Sequence, residues 1–176
     1  MAFLVRKLVK RDKLIELCQK VNIEDIYADI PTTEFRTKEG TLSTWHINSL
    51  DELNEAVLAI AVSSSEITKM DFIVIDTSLL AKYAFEYKQT YAGQDIAIPD
   101  LQNTHYDIIN ISIGKLVECT KLYRDIISND PDGEKYVIRF AAGEIKDLLK
   151  EAIRNNRVDR EKAPKKLKEE LDKLKA

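Results

Sequence analysis

Cysteine is scarce in this chain: Cys18 and Cys119 are its only two, far apart, with no CxxC spacing and no histidine beside either. That excludes a disulfide framework and a structural zinc site, and makes a reducing, cytoplasmic setting the expectation. Glycine (5) and proline (4) are nearly as rare in 176 residues, so the chain has neither a glycine-rich phosphate loop nor a nucleophile elbow. Long apolar runs are missing too. The opening "MAFLV" is broken at once by Arg6 and Lys7, too soon for a signal-peptide core or a membrane span. No cofactor is expected.

What is present is a globular composition, 44% hydrophobic and 32% charged, enough for one domain with a real core. The net charge of −3 conceals an uneven spread. Residues 1–20 carry six Lys or Arg against two acids and residues 154–176 carry nine against five, each end being +4, whereas residues 21–153 carry twelve against twenty-three, or −11. An acidic body argues against a broad phosphate-binding face. Only the two ends offer charge to nucleic acid.

Helical spacing of Leu4, Val5, Leu8 and Ile15 predicts an amphipathic helix over residues 3–20 with Lys7, Lys10 and Arg11 on its cationic side. Such a helix suits a membrane surface, a presequence or nucleic acid, but most simply lies on the core. Gly40, after Lys38 and Glu39, marks the tight turn of a β-hairpin over about residues 33–47. Its second strand sets Trp45 and Ile47 on one side, with Leu42, Thr44 and His46 on the other. Trp45 reads as a core anchor.

Ser49 and Glu52 have capping-box spacing, and Leu50, Leu53, Val57, Ile60 and Ala61 continue as a helical stripe to about Ser64. "MDFIVID" is a strand covered on both faces. Strand, helix and strand over residues 41–76 predict a βαβ unit with a parallel strand pair. After Asp76, Thr77 and Ser78 a helix is expected over residues 79–92, with Tyr83, Tyr87 and Tyr91 as an aromatic stripe for core packing or a partner.

"NTHYDIINISIGKL", residues 103–116, fits a strand followed by a helix, or one helix throughout. Ile108, Ile109, Ser112, Ile113, Leu116, Cys119, Thr120, Tyr123, Ile126 and Ile127 share one helical side, which favours a single helix over about residues 104–128. Thr104 and Asp107 then cap its start, His105 sits in its first turn, and the helix dipole disfavours protonation of His105. "NDPDGEK" is a turn, Tyr136 to Ala141 a strand, and Ile145 to Ile153 a helix. A last helix after Pro164 carries a seam of Leu167, Leu171 and Leu174, too short to stand alone. It must dock on the domain or on a partner.

Three constellations bear on chemistry. Asp132 with Glu144 and Lys146 has the spacing of the PD-(D/E)xK nucleases, but Glu144 and Lys146 open a helix where that chemistry needs a strand. "FIVIDTSLL" resembles the opening strand, metal-binding acid and helix of the PIN-domain ribonucleases. That resemblance implies a small metal-dependent nuclease with Asp76 as first acid and Glu118 as a second. Lastly, the carboxyl ends of parallel strands would gather His46, Asn48, Asp76, Thr77 and Ser78, all but His46 also good helix caps. None specifies a reaction, and the catalytic candidates are confined to Asp76, Glu118, His105 and Asp107, with Asp76 the one metal candidate.

The expectation is an α+β or α/β domain over residues 1–156 with a charged helical extension over 157–176. It has a small mixed sheet of about four strands and five or six helices. The expected function is a non-enzymatic interaction or assembly subunit of an intracellular complex. It meets a protein partner or another copy of itself through Lys7, Lys10 and Arg11, the three tyrosines, or the leucine seam. The alternatives are the PIN-like nuclease and an accessory subunit touching nucleic acid through its basic ends.

Overall fold

The computed structural model describes residues 2–20, 22, 26–91, 96–130 and 135–175. The chain is α+β, built on one sheet of six strands in the order β4-β5-β2-β1-β3-β6 with every pairing antiparallel. The strands are β1 (Phe3–Leu8), β2 (Leu42–Ile47), β3 (Met70–Asp76), β4 (Glu86–Gln89), β5 (His105–Ile109) and β6 (Val137–Phe140). Seven α-helices accompany them among the described residues. These are α1 (Arg11–Lys20), α2 (Asp29–Glu34), α3 (Leu53–Val62), α4 (Thr77–Lys82), α5 (Leu116–Ser128), α6 (Ala142–Arg154) and α7 (Lys165–Lys175).

Alternation along the strands feeds two cores, one on each face. Phe3, Val5, Trp45, Ile47, Phe72 and Val74 meet α3, α6 and α7 on one side. Leu4, Leu8, Leu42, Ile73, Ile75 and Ile108 meet α1, α2, α4 and α5 on the other. The predicted sidedness of Trp45 and Ile47 against Leu42 holds, and "MDFIVID" is covered on both faces. The sheet is larger than the four strands expected and has no parallel pair.

Residues 3–20 are not one helix. Phe3–Leu8 is a central strand, and α1 begins only at Arg11. Leu4 and Leu8 share a face at a spacing of four in a helix and in a strand alike, so their recurrence cannot tell the two apart. This strand also removes the predicted βαβ unit. β2 and β3 run in the same direction, but β1 lies between them, with Phe3 opposite Ile47 on one side and Asp76 on the other. The crossover through α3 is therefore a split βαβ.

Gly40 does make its turn, with Glu39 and Gly40 both at positive φ (54° and 72°) and Thr41 N–H donating to the Lys38 carbonyl at 3.0 Å. Lys38 and Thr41 form only an isolated bridge, and residues 29–34 are the helix α2 instead of a first hairpin strand. The Ser49 cap is displaced by one residue. Glu52 accepts from the amide of Asn48 at 2.8 Å, while the Ser49 side chain makes no capping bond.

The predicted helix over residues 79–92 stops at Lys82, because Ala84 takes a left-handed conformation (φ 52°) and Phe85 N–H donates to the Leu80 carbonyl. The chain then runs into β4. The predicted helix over residues 104–128 likewise divides into β5 and α5, with Asn110 at φ 60° as the break and Ile111 N–H donating to the Gly40 carbonyl at 2.8 Å. The helical stripe was real only from Leu116 onward. The last helix docks on the domain: Leu167 and Leu171 are fully buried against the same core as α3 and α6, and Leu174 is half-buried. No helix among the described residues is long and apolar enough to cross a membrane.

Candidate functional site

With the strand at residues 105–109 in place, His105 and Asp107 are not parts of a helix cap. Two residues apart on β5, they share a face of the sheet. Between them lies the hydroxyl of Thr90, just beyond β4, 2.9 Å from His105 Nδ1 and donating to Asp107 Oδ2 at 2.8 Å. A hydroxyl has one proton to give. Since the carboxylate receives it, Nδ1 of His105 donates to Thr90 and Nε2 is the ring's acceptor.

His105 is buried, and its ring meets Trp45 edge to face at 5.0 Å between centroids. Burial holds the imidazole below its usual range, with the charge of Asp107 pulling the other way. The helix dipole has no part in this. Chemically the trio is in the wrong order for nucleophilic catalysis, which needs the imidazole to take the proton from the hydroxyl. Here the acid takes it. The arrangement fastens the end of β4 onto β5, and Asp107 Oδ1 remains buried without a hydrogen-bond partner among the described residues.

Asp76 ends β3 and caps α4, accepting from Ser78 N–H at 2.8 Å. It lies on the rim of a cavity of about 220 Å³ with Val74, Ser78, Leu79, Ile126 and Asn129. Glu118 pairs with Lys121 at 2.9 Å, one helical turn along α5. It is eight residues before Ile126 on that helix, which amounts to roughly 12 Å of axial rise. The two acids are not brought into one site, and no group of three potential metal ligands occurs among the described residues. Glu144 accepts from the amide of Ala141 at the start of α6, while Asp132 lies outside the described residues.

The carboxyl ends of β2 and β3 do reach the same end of the sheet, two strand spacings apart. Each polar group there has a local task. Thr77 donates to the Ala2 carbonyl, Asn48 pairs with Glu52, and His46 stacks on Tyr106 at 5.0 Å. The three tyrosines separate: Tyr83 bonds Asp125, Tyr87 stands on the edge strand near Tyr106, and Tyr91 is exposed. Lys7 and Lys10 are exposed. Arg11 is engaged, 3.2 Å from Asp12 and 3.9 Å from Asp71, and Arg139 bridges the same two acids.

An open apolar groove lies elsewhere. A groove of about 170 Å³ between α2 and α5 is lined by Ile26, Ala28, Pro31, Leu116 and Val117, with Thr32 and Thr120 the only hydroxyls among the described residues that line it. Both hydroxyls are occupied by their own helices: Thr32 donates to the Ala28 carbonyl at 2.6 Å and Thr120 to that of Leu116 at 2.8 Å. The described lining therefore has no side-chain donor left for a ligand, only the two hydroxyl oxygens as acceptors. In its lining Val117 is 52% exposed. Tyr27, 74% exposed, and Ile113, 89% exposed, lie close in sequence to lining residues. No spacing in the sequence singles out these positions, because a residue on the apolar side of a helix looks the same whether or not a neighbour covers it.

Comparison with known protein families, curated proteins and solved structures finds no match for this chain.

Proposed function

We propose that this chain is a non-enzymatic interaction subunit that receives apolar side chains of a protein partner in the groove between α2 and α5. The observation that carries the reading is the apolar lining of the groove, with Val117 52% exposed in it, the exposed Tyr27 and Ile113 close by in sequence, and both threonine O–H groups already donating to their own helices. Large exposed apolar groups gathered at one place are characteristic of binding surfaces, whereas single ones are not. Among the described residues the lining offers a polar substrate only two hydroxyl oxygens as side-chain partners, and burial of apolar area is what it chiefly has to offer. The trio of Thr90, His105 and Asp107 fastens the end of β4 onto β5, a structural role that requires no substrate.

A photo-crosslinking residue at position 117, in cells of the native source, tests the reading. A discrete protein adduct that disappears with Ile113→Asp is the expected result. Both sites are exposed, so folding stability should change by no more than about 0.5 kcal/mol. Adducts no different from those formed at the exposed control site Lys69 would remove the groove as a docking surface.

A further inference from the structure

The four residues of β4, Glu86 to Gln89, are all exposed at the free edge of the sheet. The amide of Thr90 donates to the His105 carbonyl at 3.1 Å, which makes Thr90 and His105 a hydrogen-bonded pair. Bonded and non-bonded pairs alternate in an antiparallel ladder. Lys88 with Asp107 and Glu86 with Ile109 are then the other bonded pairs, and the N–H and C=O of Tyr87 and Gln89 point away from β5. Such an outward row is a template for another strand.

The side chains select which strand. If a second copy adds antiparallel about a two-fold axis through Tyr87, the two Tyr87 residues face each other as a bonded pair. Glu86 of each copy then faces Lys88 of the other in the adjacent non-bonded pairs, where side chains approach most closely. An axis through Lys88 would oppose two ammonium groups. An axis through Gln89 would leave Lys88 facing Thr90. We propose that β4 pairs with β4 of a second copy of this chain about an axis at Tyr87, joining the two sheets into one, with two Glu86–Lys88 pairs setting the register.

A lone lysine would serve simply to keep other strands off. Opposite charges two residues apart make this edge complementary to itself. Four residues bury far less than the about 1,200 Å² of a stable interface, so the association is weak and depends on concentration. It is separate from the α2–α5 groove, and either reading can fail alone.

Two measurements test it. A bonded antiparallel pair has its Cα atoms about 5.5 Å apart, within disulfide reach, and the native Cys18 and Cys119 are buried. Under mild oxidation Tyr87→Cys should form a covalent dimer, and Gln89→Cys should remain a monomer. In sedimentation at rising concentration the wild type should dimerise, while Glu86→Lys and Lys88→Glu should each lose the dimer. An equal mixture of these two variants should regain it, because every opposed pair is again of opposite sign. A wild type that stays monomeric at its solubility limit, preferential cross-linking at position 89, or a mixture that does not recover would each overturn the proposal.

Discussion

The carboxylate of Glu34 accepts from the amide of Val9, at 2.9 Å to one oxygen and 3.2 Å to the other, across a separation of twenty-five residues. The amide of Lys10 donates to the same group at 3.0 Å. These are amides at the start of α1, which the helix cannot satisfy for itself. Glu34 thus fixes the end of α2 to the turn joining β1 and α1 and helps hold one wall of the apolar groove.

Glu34 is fully buried, and burial raises its pKa against the lowering effect of the Lys10 and Val9 amides. Glu34→Ala should cost about 2 kcal/mol, since it removes the charged acceptor of the part-buried Val9 and Lys10 amide bonds. Glu34→Gln, which keeps an acceptor oxygen, should cost clearly less. Equilibrium urea unfolding of both variants distinguishes this from a packing effect, for which the two losses would be similar.

His105 makes stability depend on pH. Its folded-state pKa lies below the ordinary value of an imidazole, through burial first, so at lower pH the unfolded chain takes up a proton that the folded chain resists. Stability should fall as pH drops from 7 through 6.5 toward 5. His105→Gln should flatten that part of the thermal-midpoint curve. An unchanged slope in the variant would assign the dependence to other groups.

Leu167 and Leu171 are core residues, not a free seam, and truncating either to alanine should cost about 3 kcal/mol. Val117→Ala, on the exposed rim of the groove, should change stability by less than about 0.5 kcal/mol. Thermal denaturation of the three variants separates an integral α7 from a detachable one, for which all three would resemble wild type.

Ala84 occupies a left-handed conformation that normally falls to glycine at the end of a helix. Ala84→Gly should therefore raise stability by about 1 kcal/mol, the relief of the Cβ clash outweighing the extra freedom of the unfolded chain. A destabilised variant would mean that α4 does not end this way in solution.

Short-range physics made several features legible in the residues alone. Gly40 supplied its turn, the dense, β-branched apolar run of Met70 to Asp76 suited a strand covered on both faces, and Asp76 capped the following helix. The face assignments of Leu42, Trp45 and Ile47, and the stripe from Leu116 to Ile127, depend on local periodicity and were equally readable.

What periodicity left open, the tertiary structure decided. Leu4 and Leu8 satisfy a strand and a helix equally, and it is pairing with both β2 and β3 that makes Phe3–Leu8 a central strand. The buried His105 and half-buried Asp107 were linked only because β4 returned to place Thr90 between them. The break at Ala84 carries no residue that favours a left-handed turn, so the end of α4 is imposed by the packing around it, whereas Asn110 tolerates that conformation and offered a local signal for the end of β5. The amino-acid order determined which residues would be apolar neighbours along each segment. Which segments would lie side by side, and which apolar faces would remain uncovered, depended on contacts between residues distant in the chain.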